Sequence, residues 1–445
     1  MRGFRCGYIR ADLSRTGLRR CLRVPSARGD LVETLRIAII TETLPANRLN
    51  LQPWRYLGDL AQSLQLEGHE VSVVTSDDTP SDWNGVPITR HANPTDFRSA
   101  LALRDLLDRR RFDAGLCRLT AGLFFSARGR AREASSSSKL AGIFLRPLHD
   151  GRDLARRFLD PLLAPEIPMD LHHAAMFGSR VLGTWPDAAG SFDDFVFLWE
   201  SDRARGTSAG LPAEACHVIR HPFDPFFRAP SAGNSALPIA EALPGAGRRI
   251  VFSGPPEESR GVADVVRLAQ VLSSDPPTQV LLLLRDGRFP RPVVDRTRIG
   301  THELVAVKGL LSRDEIRWVY RHSDGAVFPY RWVRTALPLV ALEAAAAGLP
   351  VATTRVHPLR ELEGPSGLVF ANPRDPPDLA RAVRGAVDAN RREAIRRKNE
   401  EWIRSTPDWR AVAQTFVSLL RGPTPGRSGA RVLEPSPGSA GSGAR

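Results

Sequence analysis

One carboxylate stands alone in the segment Thr335 to Pro350, T-A-L-P-L-V-A-L-E-A-A-A-A-G-L-P. The pattern predicts a loop, then an Ala/Leu-rich helix from Leu339 to Ala347. Gly348-Leu349-Pro350 ends that helix and leads into a buried strand, Val351 to Thr354. Burying an unpaired carboxylate is costly, so Glu343 needs either a cationic partner or a ligand. A helix that follows a strand and a turn can present its N-terminus to a cleft. Free N–H groups there suit a diphosphate. A carboxylate further along can hold two ribose hydroxyls, as acids do in dinucleotide folds. The bland alternative is a buried acid paired with a nearby arginine. Other residues able to do chemistry are Arg260 in S-G-P-P-E-E-S-R-G (Ser253 to Gly261), the pair His149-Asp150, the rivals His172, His173 and His221, and the polar loop Asn50-Leu51-Gln52-Pro53-Trp54.

The elements that must position these groups follow a βα rhythm. Leu35 to Ile40 reads as a buried parallel strand. Trp54 to Glu67 reads as an amphipathic helix with Leu57, Leu60, Ala61 and Leu64 on one face, and Val71 to Thr75 as the next strand. That βαβ unit implies a doubly wound sheet. Further strands are expected at Ala114 to Cys117, Gly142 to Leu145 and Asp194 to Leu198, ending near His217 to Asp224. A second series has strands at Arg249 to Phe252, Val280 to Leu284, Leu304 to Val307, Gly325 to Phe328, Val351 to Thr354 and Gly367 to Phe370. Helices at Val262 to Ser273, Ser312 to Arg321, Leu339 to Ala347 and Pro377 to Ala389 fill its gaps. The expected α/β organisation is two Rossmann-like domains, 35–230 and 248–421, joined by a Pro/Ala/Gly/Ser-rich linker at 231–247. Residues 1–34 read as a disordered arm or a mis-assigned translation start, and 422–445 as a disordered tail. Ligands of doubly wound sheets bind at the carboxyl ends of the strands, so the cleft between two such sheets is the expected site.

Composition narrows the classes. The 445 residues carry a net charge of +13. Residues 1–34 hold eight Arg against three acids, and 421–445 hold four Arg against one Glu, which leaves +5 for the body. The body shows no basic stripe interleaved with aromatics, so no nucleic-acid partner is expected. A basic surface docking peripherally on anionic membrane is the expectation for Phe97 to Phe112, which ends in Arg109-Arg110-Arg111; the alternative is cations favoured at a helix C-terminus. No apolar run spans a bilayer and no hydrophobic leader is evident, so a cytoplasmic chain is expected. Cys6, Cys21, Cys117 and Cys216 lack metal-site spacing and read as free thiols. Gly245-Ala246-Gly247 precedes a strand rather than following one, which excludes a dinucleotide loop. No D-x-D triplet, G-x-S-x-G elbow or Walker loop occurs.

The segment from Thr335 resembles the nucleotide-sugar signature of family 4 glycosyltransferases (the group 1 glycosyltransferases of GT-B fold). That signature reads E-G-F-P-L, three residues, then E-A-x-A-x-G-x-P-V. Glu343 matches the second Glu, and Thr335 stands where the first would be. Gly309 to Pro329 resembles the family's G-x-V-S-x-E-E-L…Y-x-x-A-D-x-x-V-x-P stretch. Ser366 to Val369 with Asn372-Pro373, Gly68-His69-Glu70-Val71 and His221-Pro222-Phe223-Asp224 resemble further family segments. The likeness covers Leu35 to Arg421 and is stronger in the second half.

The resemblance implies a GT-B fold and a metal-independent, retaining transfer of sugar from a nucleotide-diphosphate sugar to an acceptor, without a cofactor. The acceptor, whether glycan, lipid or small molecule, is left open. Catalytic roles fall by resemblance on Arg260, Glu343 and His149. Arg260 stands for the Lys of the family's G-R-x-x-x-x-K-G loop, and Pro255, after Gly254, replaces its Arg. Donor contacts are expected from Gly254, Arg260, Thr335, Ala336, Leu337, Pro338, Leu339 and Glu343, with Arg331 or Arg334 supplying the cation missing at Pro255. The family's Gly-Gly pair in the first βα loop is absent, which leaves Asn50, Gln52 and Trp54 to meet the acceptor. Because Pro255 and Thr335 both fall on the donor site, a GT-B protein that binds a nucleotide sugar or a partner without turnover stays open as a second reading. A GT-B epimerase is a third.

Overall fold

Apolar runs of four to eight residues become central strands when helices cover both faces of a sheet. The computed structural model has two such sheets. It describes residues 33–45, 51–77, 82–83, 85–126, 138–229, 239, 243, 247–272, 276–289, 291–335 and 338–422. Contacts divide the chain into Met1–Thr34 and one compact unit, Leu35–Arg445, to which both sheets belong. Most of the proposed arm, linker and tail (1–34, 231–247 and 422–445), together with Asn50, Ala336 and Leu337, lies outside the described residues.

The first sheet contains β1 (Arg36–Ile40), β2 (Glu70–Thr75), β3 (Asp82–Trp83), β4 (Val86–Arg90), β5 (Ala114–Arg118), β6 (Lys139–Ile143), β7 (Asp194–Phe197) and β8 (Cys216–Val218). Their order is β3-β4-β2-β1-β5-β6-β7-β8. Every pairing is parallel except the β3–β4 edge. The second sheet contains β9 (Arg248–Gly254), β10 (Thr278–Arg285), β11 (Val293–Ile299), β12 (His302–Gly309), β13 (Gly325–Phe328), β14 (Val351–Thr354) and β15 (Val369–Ala371), in the order β11-β12-β10-β9-β13-β14-β15. Here only β11 is antiparallel to its neighbour. Central strands such as Ile37–Ile40 and Val351–Ala352 have no exposed side chains, as doubly covered strands require. The expected pair of Rossmann-like domains is therefore present, and the fold is GT-B.

The helices that matter are α1 (Trp54–Leu66), α2 (Ala100–Arg110), α3 (Ile167–Val181), α4 (Val262–Val271), α5 (Arg313–Arg321), α6 (Leu339–Ala346), α7 (Pro376–Val387), α8 (Ala389–Ser405) and α9 (Trp409–Arg421). Helix α5 starts where the sequence says it should. Ser312 accepts from the Glu315 N–H while the Glu315 carboxylate takes the Ser312 N–H, a reciprocal cap. The long helix read from Phe97 is broken. Pro94–Arg98 is a 3-10 turn, and Ser99 in extended conformation caps α2 by accepting from Ala102 N–H. Asp388 stops α7 at Val387, where the sequence reading ran on to Ala389, and caps α8 by accepting from the Asn390 N–H. The strand read at Gly142 to Leu145 sits three residues earlier, because its register pairs Ala114–Arg118 with Lys139–Ile143.

Helix α9 comes from the chain's end but packs on the first domain. Trp409 meets Tyr56 of α1 with ring centroids 5.4 Å apart. Arg410 pairs with Glu67 at 3.0 Å, and Lys139 Nζ donates to the Leu419 carbonyl at 2.5 Å. No helix among the described residues is long and apolar enough to cross a membrane.

Candidate active site

The carboxyl ends of the strands in the two sheets face each other. From the first domain come the loop after β1 with Thr43, Gln52 and Trp54, the end of β5 with Arg118, and the loop after β6 with Arg146 and His149. From the second come Gly254 at the end of β9, the Tyr330–Thr335 loop after β13, and helix α6. Contacts bridge the two sides. His149 Nε2 donates to the Val333 carbonyl at 2.9 Å, and Arg55 at the start of α1 donates through Nη1 to Glu343 Oε1 at 2.9 Å.

Glu343 is 8% exposed in a helix otherwise built of Ala, Leu and Val. It therefore meets the cost of burial with the partner that the bland alternative names, although this partner comes from the opposite domain. Burial pushes its carboxyl up, and Arg55 pulls it back down. Arg55 also binds Asp224, which in turn holds Arg313, so four charges form one chain across the cleft. Among the described residues no hydrogen bond reaches Glu343 Oε2. That oxygen can still accept from a ribose hydroxyl.

Arg260 ends the short turn Glu258–Arg260 and is a quarter exposed. Its Nε lies 3.6 Å from Glu257, and its guanidinium lies 5.9 Å from the centre of the Tyr330 ring. Gly261 follows with φ 79°. A Cβ there would lie 2.0 Å from the Pro329 carbonyl, so glycine lets this loop close onto the end of β13. The free cation that Pro255 fails to supply is not Arg331 or Arg334. Arg331 is buried and clamps Asp264 bidentately at 2.7 and 2.5 Å, with Asp160 of the first domain at 3.4 Å. Arg334 is bound to Asp170 at 2.7 Å, Glu257 at 2.9 Å and Glu166. These carboxylates already neutralise both guanidinium groups, which corrects the expectation that either faces a diphosphate. Glu166 also accepts from the Glu258 and Ser259 N–H groups, at 2.6 and 3.3 Å.

His149 is buried against the donor loop. Its ring stacks on Trp332 with centroids 3.6 Å apart, and His173 and His357 meet it edge-on. Burial pushes its pKa down, so the neutral ring donates through Nε2. Nδ1 has no hydrogen-bond partner and lies 3.9 Å from Asp153. Among the described residues no group of three His, Cys, Asp or Glu could hold a metal ion. Cys117 and Cys216 are buried thiols.

On the acceptor side, Gln52 Nε2 lies 3.2 Å from His221 Nε2, and the Trp54 indole donates to the Thr43 carbonyl at 2.6 Å. Arg118 lies 5.6 Å above the Trp54 ring. Sequence reasoning missed Arg55, Arg118 and Arg146. For Arg118 a signal existed: a cation closing an otherwise apolar strand at its carboxyl end, where doubly wound sheets bind ligands. Pro338 and Leu339 stand at the open N-terminus of α6, where no side chain caps the helix. Thr335 precedes them in the loop. A cavity lined by Glu70, Ser72 and Val74 of β2 and by Leu106 and Arg110 of α2 lies between the sheet face and that helix, away from the residues named above.

Residues 247–389 match the model of the family described as glycosyl transferases group 1. Glycogen synthase of Mycobacterium tuberculosis (strain CDC 1551 / Oshkosh) is 31% identical over 199 residues, 42% of this chain and 46% of that protein. The chain thus spans about half the length of the curated relatives it matches. Among solved structures, Anabaena HepE in complex with UDP and glucose is similar with a TM-score of 0.56 and 14% identity, over 87% of this chain and 99% of that one. An alpha,alpha-trehalose-phosphate synthase (UDP-forming) from Burkholderia xenovorans, in complex with glucose-6-phosphate, gives a TM-score of 0.60 and 12% identity, over 87% and 100%. At these identities the solved structures speak to the fold.

Proposed function

We propose, from the premise that the second domain of this GT-B chain belongs to the glycosyl transferases group 1 family, that the protein transfers a sugar from a nucleotide-diphosphate sugar to an acceptor with retention of configuration. The observation that carries this reading is Glu343, buried on α6 with Oε2 open and the helix N-terminus uncapped. The ribose hydroxyls bind Glu343 Oε2. The diphosphate lies at the free N–H groups near Pro338 and Leu339, with Ala336, Leu337 and Gly254 beside it. Arg260 neutralises charge on the leaving diphosphate. The acceptor hydroxyl approaches from the side of Gln52 and Trp54, with Asn50 in the same loop. Its oxygen bonds to the anomeric carbon as the bond from that carbon to the diphosphate oxygen breaks. Its proton passes to the departing diphosphate, so no protein base, metal or cofactor takes part. His149, buried among Trp332, His173 and His357, holds the loop after β13 by its bond to Val333. Catalysis rests on positioning and on charge stabilisation.

The chain acts in the cytoplasm in this reading. The exposed Arg109, Arg110 and Arg111 at the end of α2 offer a peripheral contact to anionic lipid. Two relatives in complex hold UDP with glucose and glucose-6-phosphate respectively, which supports a UDP-sugar donor and a sugar acceptor here.

The second reading is a protein that binds the donor without turnover. It is favoured by Pro255, by Thr335 in place of a carboxylate, and by the neutralisation of Arg331 and Arg334. Thermal-shift and turnover measurements with UDP-, GDP-, ADP- and dTDP-sugars separate the two. Stabilisation with transfer or donor hydrolysis supports the enzyme. Stabilisation without either supports the binder, and no stabilisation by any of them overturns both.

A further inference from the structure

Two arginines in the cleft, Arg118 and Arg146, form no ion pair among the described residues. Arg118 closes β5, and Arg146 lies three residues beyond Ile143, the β6 residue paired with it in register. These two strands are neighbours in the sheet, with strands about 5 Å apart. Arg118 is 9% exposed, and among the described residues its one side-chain hydrogen bond is a long 3.4 Å contact to the Thr43 hydroxyl. Arg146 is half-buried and makes no hydrogen bond or ion pair among the described residues. The carboxylates that act on them are already taken. Glu42, near Arg118, holds Arg98 at 3.0 Å. Asp170, near Arg146, holds both Arg157 and Arg334.

Burying cations without counter-charge is expensive. Burial, and then the charge of Arg118, push Arg146 down to about 9. A third group points to the same space. His172 on α3 feels both arginines, and its Nε2 is buried without a partner. Its ring lies 3.8 Å from that of His173, which packs on His149. The two arginines and His172 therefore adjoin His149 and the loop it holds, on the domain opposite Glu343.

We infer that Arg118, Arg146 and His172 bind a phosphate group carried by the acceptor, making the acceptor a phosphorylated sugar or a phosphate-bearing lipid. This inference rests on the glycosyl-transfer reading for its word "acceptor"; the anion site itself rests on the arginines. A phosphate ester offers three free oxygens and up to two negative charges, enough to bridge two guanidinium groups arriving from different strands and to neutralise both. The Trp54 ring lies beneath Arg118, 5.6 Å from its guanidinium, and helps to fix its position.

The test uses the full chain and calorimetry. UDP is titrated first. Glucose 6-phosphate, glucuronate and glucose are then titrated in its presence. Glucose 6-phosphate should bind roughly tenfold to a hundredfold more tightly than glucose, the range of one or two charge-assisted bonds. Arg118→Ala and Arg146→Ala should each remove at least about tenfold of that preference, Arg118→Lys should restore part of it, and UDP affinity should stay. Vesicles with and without phosphatidic acid distinguish the source. Capture that depends on the arginines assigns the phosphate to a lipid, and binding of the soluble ester alone assigns it to a free sugar. Equal binding of glucose and its phosphate, together with no arginine-dependent capture on vesicles, would overturn the inference. So would a preference for glucuronate, or arginine-dependent selection of UDP-glucuronate over UDP-glucose, which would place the negative charge on the donor. Arginine-dependent phosphate binding without UDP binding would keep the anion site and remove the glycosyl-transfer reading.

Discussion

The arginines on the two sides of the cleft are treated in opposite ways. On the second domain, Arg331 and Arg334 are saturated by Asp264, Asp160, Asp170, Glu166 and Glu257. On the first, Arg118 and Arg146 are buried or half-buried with no acid in ion-pair range among the described residues. A cation whose charge the protein neutralises holds the fold together, and a cation left over waits for a ligand. The sequence does not separate the two kinds, since all four residues lie at or just beyond the carboxyl ends of strands.

Four measurements break or sharpen this contrast. The largest effect is on stability. Arg331→Met leaves Asp264 buried without its partner and should cost about 3–5 kcal/mol, read as a lower urea midpoint at unchanged m. Arg118→Met removes an uncompensated cation and should leave the midpoint unchanged or raise it. Equal losses in the two variants would erase the distinction. Next comes pH. His221 is buried beside Arg55, and burial first, then Arg55, pushes it from its ordinary value down to about 4. A folded pKa below the unfolded one means that the unfolded chain binds more protons below pH 6.5. Stability is therefore full above that pH and is lost as pH falls toward 4, by roughly 3 kcal/mol for this group. His149 and His173 shift in the same direction by burial and add to the slope. Thermal melts between pH 7.5 and 4 should show the loss, and His221→Gln should reduce it.

The donor end gives the third effect. Glu343→Ala should weaken UDP binding by about a hundredfold, or roughly 2.7 kcal/mol. The same change frees Arg55 to sit wholly on Asp224. If UDP affinity holds in Glu343→Ala, then Glu343 is merely a strut for Arg55. The smallest effect is a control outside the cleft. Ser312→Ala removes the reciprocal cap of α5 and should cost about 1 kcal/mol in a thermal or urea melt, with no change in UDP or glucose 6-phosphate affinity.

The sheets and the donor helix were legible because their signals are local. An apolar run, a Gly-Leu-Pro stop and a Ser-x-x-Glu start lie within a dozen residues of what they specify. The edge strand β11 (V-V-D-R-T-R-I) was missed because one ladder and an exposed surface leave it rich in charge. Helix α3 was missed because a proline follows its first residue and its apolar residues are interrupted by histidines and an aspartate. The ion pairs of the cleft were out of reach for a different reason. Arg55 and Glu343 are 288 positions apart, and Arg334 and Asp170 are 164 apart. No period or spacing in one sequence encodes which distant charges will meet. The elements that carry the candidate residues were thus readable, and the ion pairs among them were not.

The return of α9 to the first domain has a mechanical consequence. The chain returns to the first domain at Thr406–Asp408, just before α9 docks on α1. The docked helix ties the end of the second domain to the first, so opening the cleft would part Arg55 from Glu343 and His149 from Val333 while α9 stays in place.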